Sequence, residues 1–136
     1  MFLKKDLVAG YAEFRQYYPQ PGWVEHDAEE IYQNLLKVIR QTLEKRRIHP
    51  YRIAAIGITN QRETFLLWSR KDGKPLSRAI VWQCRRTSDL CASLKKRGLE
   101  KLFSRKTGLR LDPYFSGTKV KWLLDDLPDS RRKARR

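Results

Sequence analysis

Two adjacent charged side chains lie in a loop where they could bind a small polar ligand. Arg62 and Glu63 stand next to each other in residues 59–64, directly after an apolar run. A guanidinium offers a planar fork of donors and a carboxylate offers acceptors, so the pair could hold a ligand that carries several hydroxyl groups. Taken alone, this spacing favours an ordinary polar turn whose charged groups pair with other surface groups.

Two further segments combine an aromatic side chain with polar neighbours. Trp82 ends a predicted strand, and Arg85 and Arg86 follow it ahead of a predicted helix. The indole could form an apolar wall for the carbon chain of a ligand, while the arginines could meet phosphate or carboxylate. Tyr114 lies in the loop 111–119 before another predicted helix, and its phenol could donate to a ligand hydroxyl. The alternatives are a core tryptophan with two solvated arginines, and an aromatic plug of the loop.

The spacing of apolar residues predicts an α/β chain whose elements position these loops. Asp27 with Glu30 three residues later resembles a capping box at a helix start, and an Asp-Gly turn is predicted over 71–74. We expect strands over 7–18, 53–58, 63–68 and 79–82, and helices that begin near Asp27, Thr87, Leu99 and Ser116 and end near Arg46, Gly98, Arg105 and Pro128.

The run 53–58 (IAAIGI) is short and apolar, which is typical of a strand buried on both faces. Such a strand needs neighbours on both edges, and the predicted strands are too few to supply them all. The sequence therefore predicts either a small irregular protein or a part of a larger one.

Composition predicts one folded domain, since 40% of the 136 residues are hydrophobic and 33% are charged. No apolar run approaches the roughly 18 residues of a membrane span, and the first residues lack the pattern of a signal peptide. We therefore expect a cytoplasmic protein with no membrane partner.

Cys84 and Cys91 lie at no metal-binding spacing, so we expect two reduced thiols, with Cys91 on the buried face of a helix, and no metal site.

The net charge of +15 suggests nucleic acid as a partner. Residues 130–136 hold five of the basic side chains, so we separate a domain over 1–129 from a basic tail over 130–136. Two other basic clusters, 45–47 and 95–97, lie near predicted helix carboxyl ends, where cations complement the helix dipole. No predicted helix gathers basic residues on one face with interleaved aromatics, so nucleic acid is the minority interpretation.

Four stretches together resemble the glycerol kinases of the FGGY carbohydrate-kinase family. Their order and spacing match that family as well, and the resemblance runs from about residue 17 to the end. Four long motifs in register are more specific than any one of them, and they outweigh the structural alternatives given above. The stretches are residues 21–27 (PGWVEHD), 56–64 (IGITNQRET), 80–87 (IVWQCRRT) and 112–122 (DPYFSGTKVKW).

The resemblance implies a partial actin/ribonuclease-H-like domain with a mixed sheet flanked by helices. It also implies that the full-length parent transfers a phosphoryl group from ATP to glycerol with Mg²⁺, giving glycerol 3-phosphate. By matching motif position, Arg62 and Glu63 are expected to hydrogen-bond glycerol hydroxyls, and Tyr114 to add a polar contact. Trp82 is expected to pack against the carbon backbone of glycerol.

By the resemblance, we expect this sequence to lack the family's first hairpin, which binds phosphate, and also its catalytic base and its ATP-binding domain. We therefore expect no catalytic or cofactor-binding residue in this chain, no tight binding of ATP or Mg²⁺, and no activity from the chain alone. Three alternatives stay open: a basic nucleic-acid-binding domain, a fragment of another FGGY sugar kinase, and a non-catalytic piece that associates through unpaired strands. A homo-oligomer is also left open.

Overall fold

A three-stranded antiparallel sheet lies at the centre of the structure, a computed structural model that describes residues 8–127 and 130. The strands are β1 (Gln16–Tyr17), β2 (Glu25–His26) and β3 (Ala79–Ile80), in the order β1-β2-β3. Glu25 pairs with Tyr17 on one side and with Ile80 on the other. Because both pairs are antiparallel, the predicted mixed sheet is wrong for the described residues.

The core packs around the end of β3. Ile80, Cys84 and Leu123 form a buried cluster, and partly buried apolar side chains cover it. These are Trp23, Val24, Phe65, Leu67, Trp122 and Leu127. Cys84 and Cys91 are both buried and not disulfide-bonded, and Cys91 lies on a helix, as predicted.

Helix α1 (Ala28–Lys45) begins where the sequence predicts it, and Asp27 caps it. The Asp27 carboxylate accepts the backbone N–H groups of Glu29 and Glu30 at 2.9 and 3.2 Å. The Glu30 side chain does not close the predicted capping box, because its carboxylate accepts the backbone N–H of Arg15 at 2.9 Å. The amino-terminal segment is thereby fixed to α1.

The other helices match their predictions to within about two residues. They are α2 (Ser88–Lys96), α3 (Glu100–Thr107) and α4 (Ser116–Asp126), and a 3₁₀ turn, Pro50–Arg52, follows α1. Gly98 follows the α2 cap with a left-handed backbone, φ of +73°, at the helix end that the sequence predicts there. Basic residues lie in the last turns of α1 and α2, which supports a helix-dipole role for the two basic clusters.

The strand predicted over 53–58 is absent, and all six residues are exposed. Ile56 and Ile58 are 78% and 90% exposed. An apolar run indicates that a segment can be buried, but a strand also needs a neighbouring strand to accept and donate backbone hydrogen bonds. No described strand pairs with residues 53–58. The strand predicted over 63–68 is reduced to isolated bridges of Phe65 with Ile80 and of Trp68 with Pro75.

The remaining sequence predictions fall partly outside the structure. Of the strand predicted over 7–18, only Gln16–Tyr17 is formed among the residues described. Ser130 is the one residue of the predicted basic tail that the structure describes. The prediction for residues 131–136 lies outside the described residues. Of the helices described, none is long and apolar enough to cross a bilayer.

Candidate functional site

The turn that carries Arg62 and Glu63 is anchored beside β3. Phe65 exchanges two backbone hydrogen bonds with Ile80, at 2.9 and 2.7 Å. The Thr64 hydroxyl donates to the Gln61 side chain at 2.8 Å and accepts the backbone N–H of Trp82 at 3.3 Å. The turn therefore lies next to the chain segment that carries Trp82.

Glu63 occupies an unusual backbone conformation, with φ of +62°. A residue other than glycine is uncommon in this left-handed region, and such strain clusters at functional sites. Its carboxylate Oε2 accepts both the backbone N–H and the hydroxyl of Ser116, each at 2.7 Å. Ser116 is the first residue of α4, so the carboxylate lies at the positive end of the helix dipole.

Lys119 connects the Glu63 turn to the loop that carries Tyr114. Its side chain is fully buried, and its Nζ donates to the backbone carbonyls of Glu63 and Tyr114, each at 2.6 Å. Burial lowers the pKa of the Lys119 ammonium below its ordinary value of 10.5, and the negative charge of Glu63 opposes this shift. The two loops are thus joined through one atom.

Two aromatic side chains form an exposed wall beside this junction. The Trp82 and Tyr114 rings meet edge to face, with centroids 6.0 Å apart and an interplanar angle of 69°. The residues are 39% and 37% exposed, so each keeps a face in contact with solvent. An aromatic wall next to a carboxylate suits a ligand that has both CH groups and hydroxyls.

We call Arg62, Glu63, Trp82 and Tyr114 the candidate site. The structure brings Glu63, Trp82 and Tyr114 together. Arg62 is included because it is adjacent to Glu63 in the chain. Arg62 is exposed, and within residues 8–127 and 130 no hydrogen bond or ion pair occupies its guanidinium. Its donors are therefore available to a ligand.

The two other arginines considered for anion binding pair with carboxylates of the protein itself. Arg86 is buried, donates to Glu25 at 2.6 Å, and lies over the rings of Trp23 and Trp122. The alternative of a solvated side chain is therefore wrong for Arg86, because Glu25 and two aromatic faces enclose it. Arg85 pairs with Asp112 at 3.2 Å and stays exposed.

Sequence reasoning missed the parts played by Ser116 and Lys119. The sequence predicts that a helix begins near Ser116, whereas in the structure Phe115 is the cap position and the Ser116 hydroxyl donates to Glu63. Lys119 could have been found from its spacing, because it lies four residues before Leu123, a buried residue on the same face of α4. A lysine on an apolar helix face needs a buried partner.

Comparison with known proteins places the chain in a family. The family model described as the N-terminal domain of the FGGY family of carbohydrate kinases matches residues 4–136. The chain therefore belongs to the FGGY carbohydrate kinases, as its four motifs predict.

The similar curated proteins are glycerol kinases. The chain is 54% identical over 132 residues to the glycerol kinase of Leptospira biflexa, covering 97% of this chain and 26% of that protein. It is 57% identical over 136 residues to the glycerol kinase of Sinorhizobium fredii, covering 98% of this chain and 27% of that protein. The chain thus spans about a quarter of the length of these relatives.

Solved structures agree with the fold class. Plasmodium falciparum glycerol kinase with ADP superposes with a TM-score of 0.83 at 35% identity, covering 90% of this chain and 24% of that chain. Xylulose kinase from Lactobacillus acidophilus, at 22% identity, superposes with a TM-score of 0.78 over 90% of this chain and 24% of that chain, and shows the shared fold alone. These neighbours are sugar kinases of the actin/ribonuclease-H-like class, so the predicted fold class is confirmed at that level.

Proposed function

We propose that this chain supplies part of the acceptor-substrate site of a glycerol kinase, in which glycerol receives the γ-phosphoryl group of ATP. The observation that carries the proposal is the convergence of Glu63, Trp82 and Tyr114 around Lys119, in a chain 54% identical to a curated glycerol kinase. The FGGY relatives that act on other sugars match at about 22% identity, which favours glycerol over those substrates.

The chemistry of the four side chains fits a small triol. Arg62 would donate to hydroxyl oxygens, and Glu63 would accept hydroxyl protons. Tyr114 would add a phenol that donates or accepts, and Trp82 would cover the CH groups of the ligand. Several directional hydrogen bonds favour a ligand with hydroxyls at matching positions, because a ligand that lacks one leaves a donor or acceptor of the site without its partner.

ATP and Mg²⁺ would belong to the longer enzyme of which this chain corresponds to a quarter. Within residues 8–127 and 130, no group of three His, Cys, Asp or Glu side chains could hold a metal ion. We assign no nucleotide-binding or metal-binding residue to this chain. The separation of a domain from a basic tail, a missing phosphate-binding hairpin, a cytoplasmic location and a homo-oligomer stay predictions.

A glycerol titration of the isotope-labelled chain tests the binding proposal, with the Trp82 indole N–H as the signal. We expect a saturable shift in the wild type and an affinity lower by about tenfold or more in Arg62→Ala, since a hydrogen bond from a charged group contributes about 1.5–3 kcal/mol. Arg70→Ala, at an exposed arginine of the Asp-Gly hairpin, is the matched control and should titrate like the wild type. Equal titrations of the two variants would reject the proposed role of Arg62.

A second measurement concerns phosphoryl transfer. Such transfer depends on positioning and on charge stabilisation by phosphate-binding loops and Mg²⁺. Because none of the four site residues supplies these functions, we expect the purified chain to form no glycerol 3-phosphate from ATP, Mg²⁺ and glycerol. Formation of that product above a heat-denatured control would contradict the predicted lack of activity of the chain alone.

A further inference from the structure

We propose that the first turn of α4 is a clamp that holds the two loops of the candidate site together, with Ser116 and Lys119 as its positioning residues. The clamp rests on the proposed function, because it acts on a ligand only through Glu63 and Tyr114. It adds two residues that the motif comparison does not assign to glycerol.

Ser116 fixes the direction of the Glu63 carboxylate. Its N–H and hydroxyl both donate to the same oxygen, Oε2, at 2.7 Å. Two donors on one oxygen fix the orientation of the carboxylate group. The second oxygen can then accept a hydrogen bond from another donor. Among the described residues nothing donates to Oε1, so this atom is the one presented to a ligand hydroxyl.

Lys119 fixes the separation of the two loops. A buried ammonium must satisfy its donors inside the protein, and this one uses two of its three on the Glu63 and Tyr114 carbonyls. Both bonds are short, at 2.6 Å, and the side chain is fully buried. If either loop moved away from the Lys119 Nζ, one N–H of the buried ammonium would lose its acceptor.

The strained backbone of Glu63 supports the same assignment. A left-handed conformation at a residue other than glycine is strained and persists only where its surroundings enforce it. At Glu63 the α4 turn makes three contacts, two to the carboxylate and one to the carbonyl. The clamp thus has the contacts needed to hold φ at +62°.

A purely structural role for this turn is the alternative, and Thr118 offers the matched control. Thr118 is buried in the same turn, and its hydroxyl bonds the Thr87 hydroxyl at 2.9 Å. It contacts neither Glu63 nor Tyr114 through a hydrogen bond. Thr118→Val should therefore reduce stability without changing the site.

The first measurement needs no ligand. In the wild-type chain, a nuclear Overhauser effect between the Trp82 and Tyr114 rings should report their edge-to-face contact. Lys119→Met keeps the length of the side chain and removes its donors, so we expect the cross-peak to be lost. The cross-peak should persist in Thr118→Val. A folded Lys119→Met chain that keeps the cross-peak would overturn the clamp.

The second measurement uses glycerol and does not require Lys119→Met to fold. Ser116→Ala keeps the backbone N–H bond to Glu63 and removes the hydroxyl, and we expect the dissociation constant for glycerol to rise about tenfold. Ser116→Thr should restore the affinity, and Thr118→Val should leave it unchanged. Equal changes in Ser116→Ala and Thr118→Val would show a structural role and overturn the clamp.

These experiments distinguish a failure of the proposed function from a failure of the clamp. If the wild-type chain gives no saturable response to glycerol, and Lys119→Met still loses the ring contact, the proposed function is wrong for this chain. The clamp is then supported as the device that joins the two loops.

Discussion

Arg86 illustrates how the surroundings of a charged side chain decide its role. Its guanidinium lies 3.9 Å from the centroid of the Trp23 ring and 4.6 Å from that of Trp122, and it pairs with Glu25. This planar cation stacks on the aromatic faces and presents a fork of donors to the carboxylate. The residue therefore belongs to the core of the domain, although its position in the motif also suits anion binding.

Replacing Arg86 should destabilise the chain much more than replacing its neighbour. Arg86→Ala leaves a mostly buried Glu25 carboxylate without its close partner, which costs about 3–5 kcal/mol. Arg85→Ala removes an exposed pair with Asp112 and should cost less than about 1 kcal/mol. Urea unfolding followed by tryptophan fluorescence measures both, and similar midpoints for the two variants would contradict this ranking.

His26 should make the stability of the chain depend on pH. It is buried beside Phe14, and neither ring nitrogen has a hydrogen-bond partner among the described residues. Burial lowers the pKa of His26 below its ordinary 6.5, while the nearby Gln61 side chain and the Glu30 carboxylate oppose that shift. The unfolded chain thus binds this proton at a higher pH than the folded chain.

The sign of the effect follows from proton linkage. Stability is complete above pH 6.5 and decreases as the pH falls from that value towards the lowered pKa of the folded state. His26→Leu should flatten the loss of unfolding free energy as the pH falls below 6.5. His49→Asn, at an exposed histidine, should keep it. An unchanged pH dependence in His26→Leu would show that another group is responsible.

At the scale of single elements, the start of α1 depends on one side chain. The Asp27 carboxylate satisfies two backbone N–H groups that have no partner within the helix. Asp27→Ala should lower the unfolding free energy by about 1 kcal/mol, and Asp27→Asn by much less. Thermal unfolding followed by circular dichroism compares the two, and equal losses would mean that the cap contributes no specific hydrogen bond.

The helices were predictable because their signals are local. Asp27 and Gly98 act on the turn next to them, and the structure confirms the start of α1 and the end of α2 there. Strand β2 was missed because Glu25 and His26 form no apolar run, and their pairing comes from Ile80 and Ala79, which lie far along the chain. Periodicity in one segment carries no information about such a partner.

The candidate site was predictable only in part. The motifs brought Arg62, Glu63, Trp82 and Tyr114 together as a group through the family resemblance, and the structure brings the last three close in space. Lys119 was missed because its role depends on two carbonyls that other loops supply. Every residue carries a backbone carbonyl, so a side chain that donates to backbone carbonyls does not require particular residue types at the partner positions. The sequence therefore contains no signal for such a contact.

At the scale of the whole molecule, the exposed run 53–58 is the feature that solution behaviour should report. Ile53, Ile56 and Ile58 are exposed, and the residues described provide no strand that pairs with the run. An exposed apolar segment with unpaired backbone groups is a site for association with another chain.

We therefore expect the chain to associate with itself as its concentration rises. Ile56→Lys and Ile58→Lys should each shift sedimentation velocity profiles towards the monomer, because a lysine resists the apposition of two such runs. A lysine at exposed Leu109 is the control for the added charge alone and should have a smaller effect. Identical profiles for all three variants would assign the association to another surface.

The bonds made by Lys119 bear on which residues of the candidate site could be exchanged. Lys119 binds main-chain oxygens at positions 63 and 114, and every amino acid carries such an oxygen. A new side chain at position 114 would therefore keep the Lys119 contact, whereas a new side chain at position 63 would also lose the two contacts that the Glu63 carboxylate makes with Ser116. The group that faces a ligand is thus easier to exchange at position 114 than at position 63.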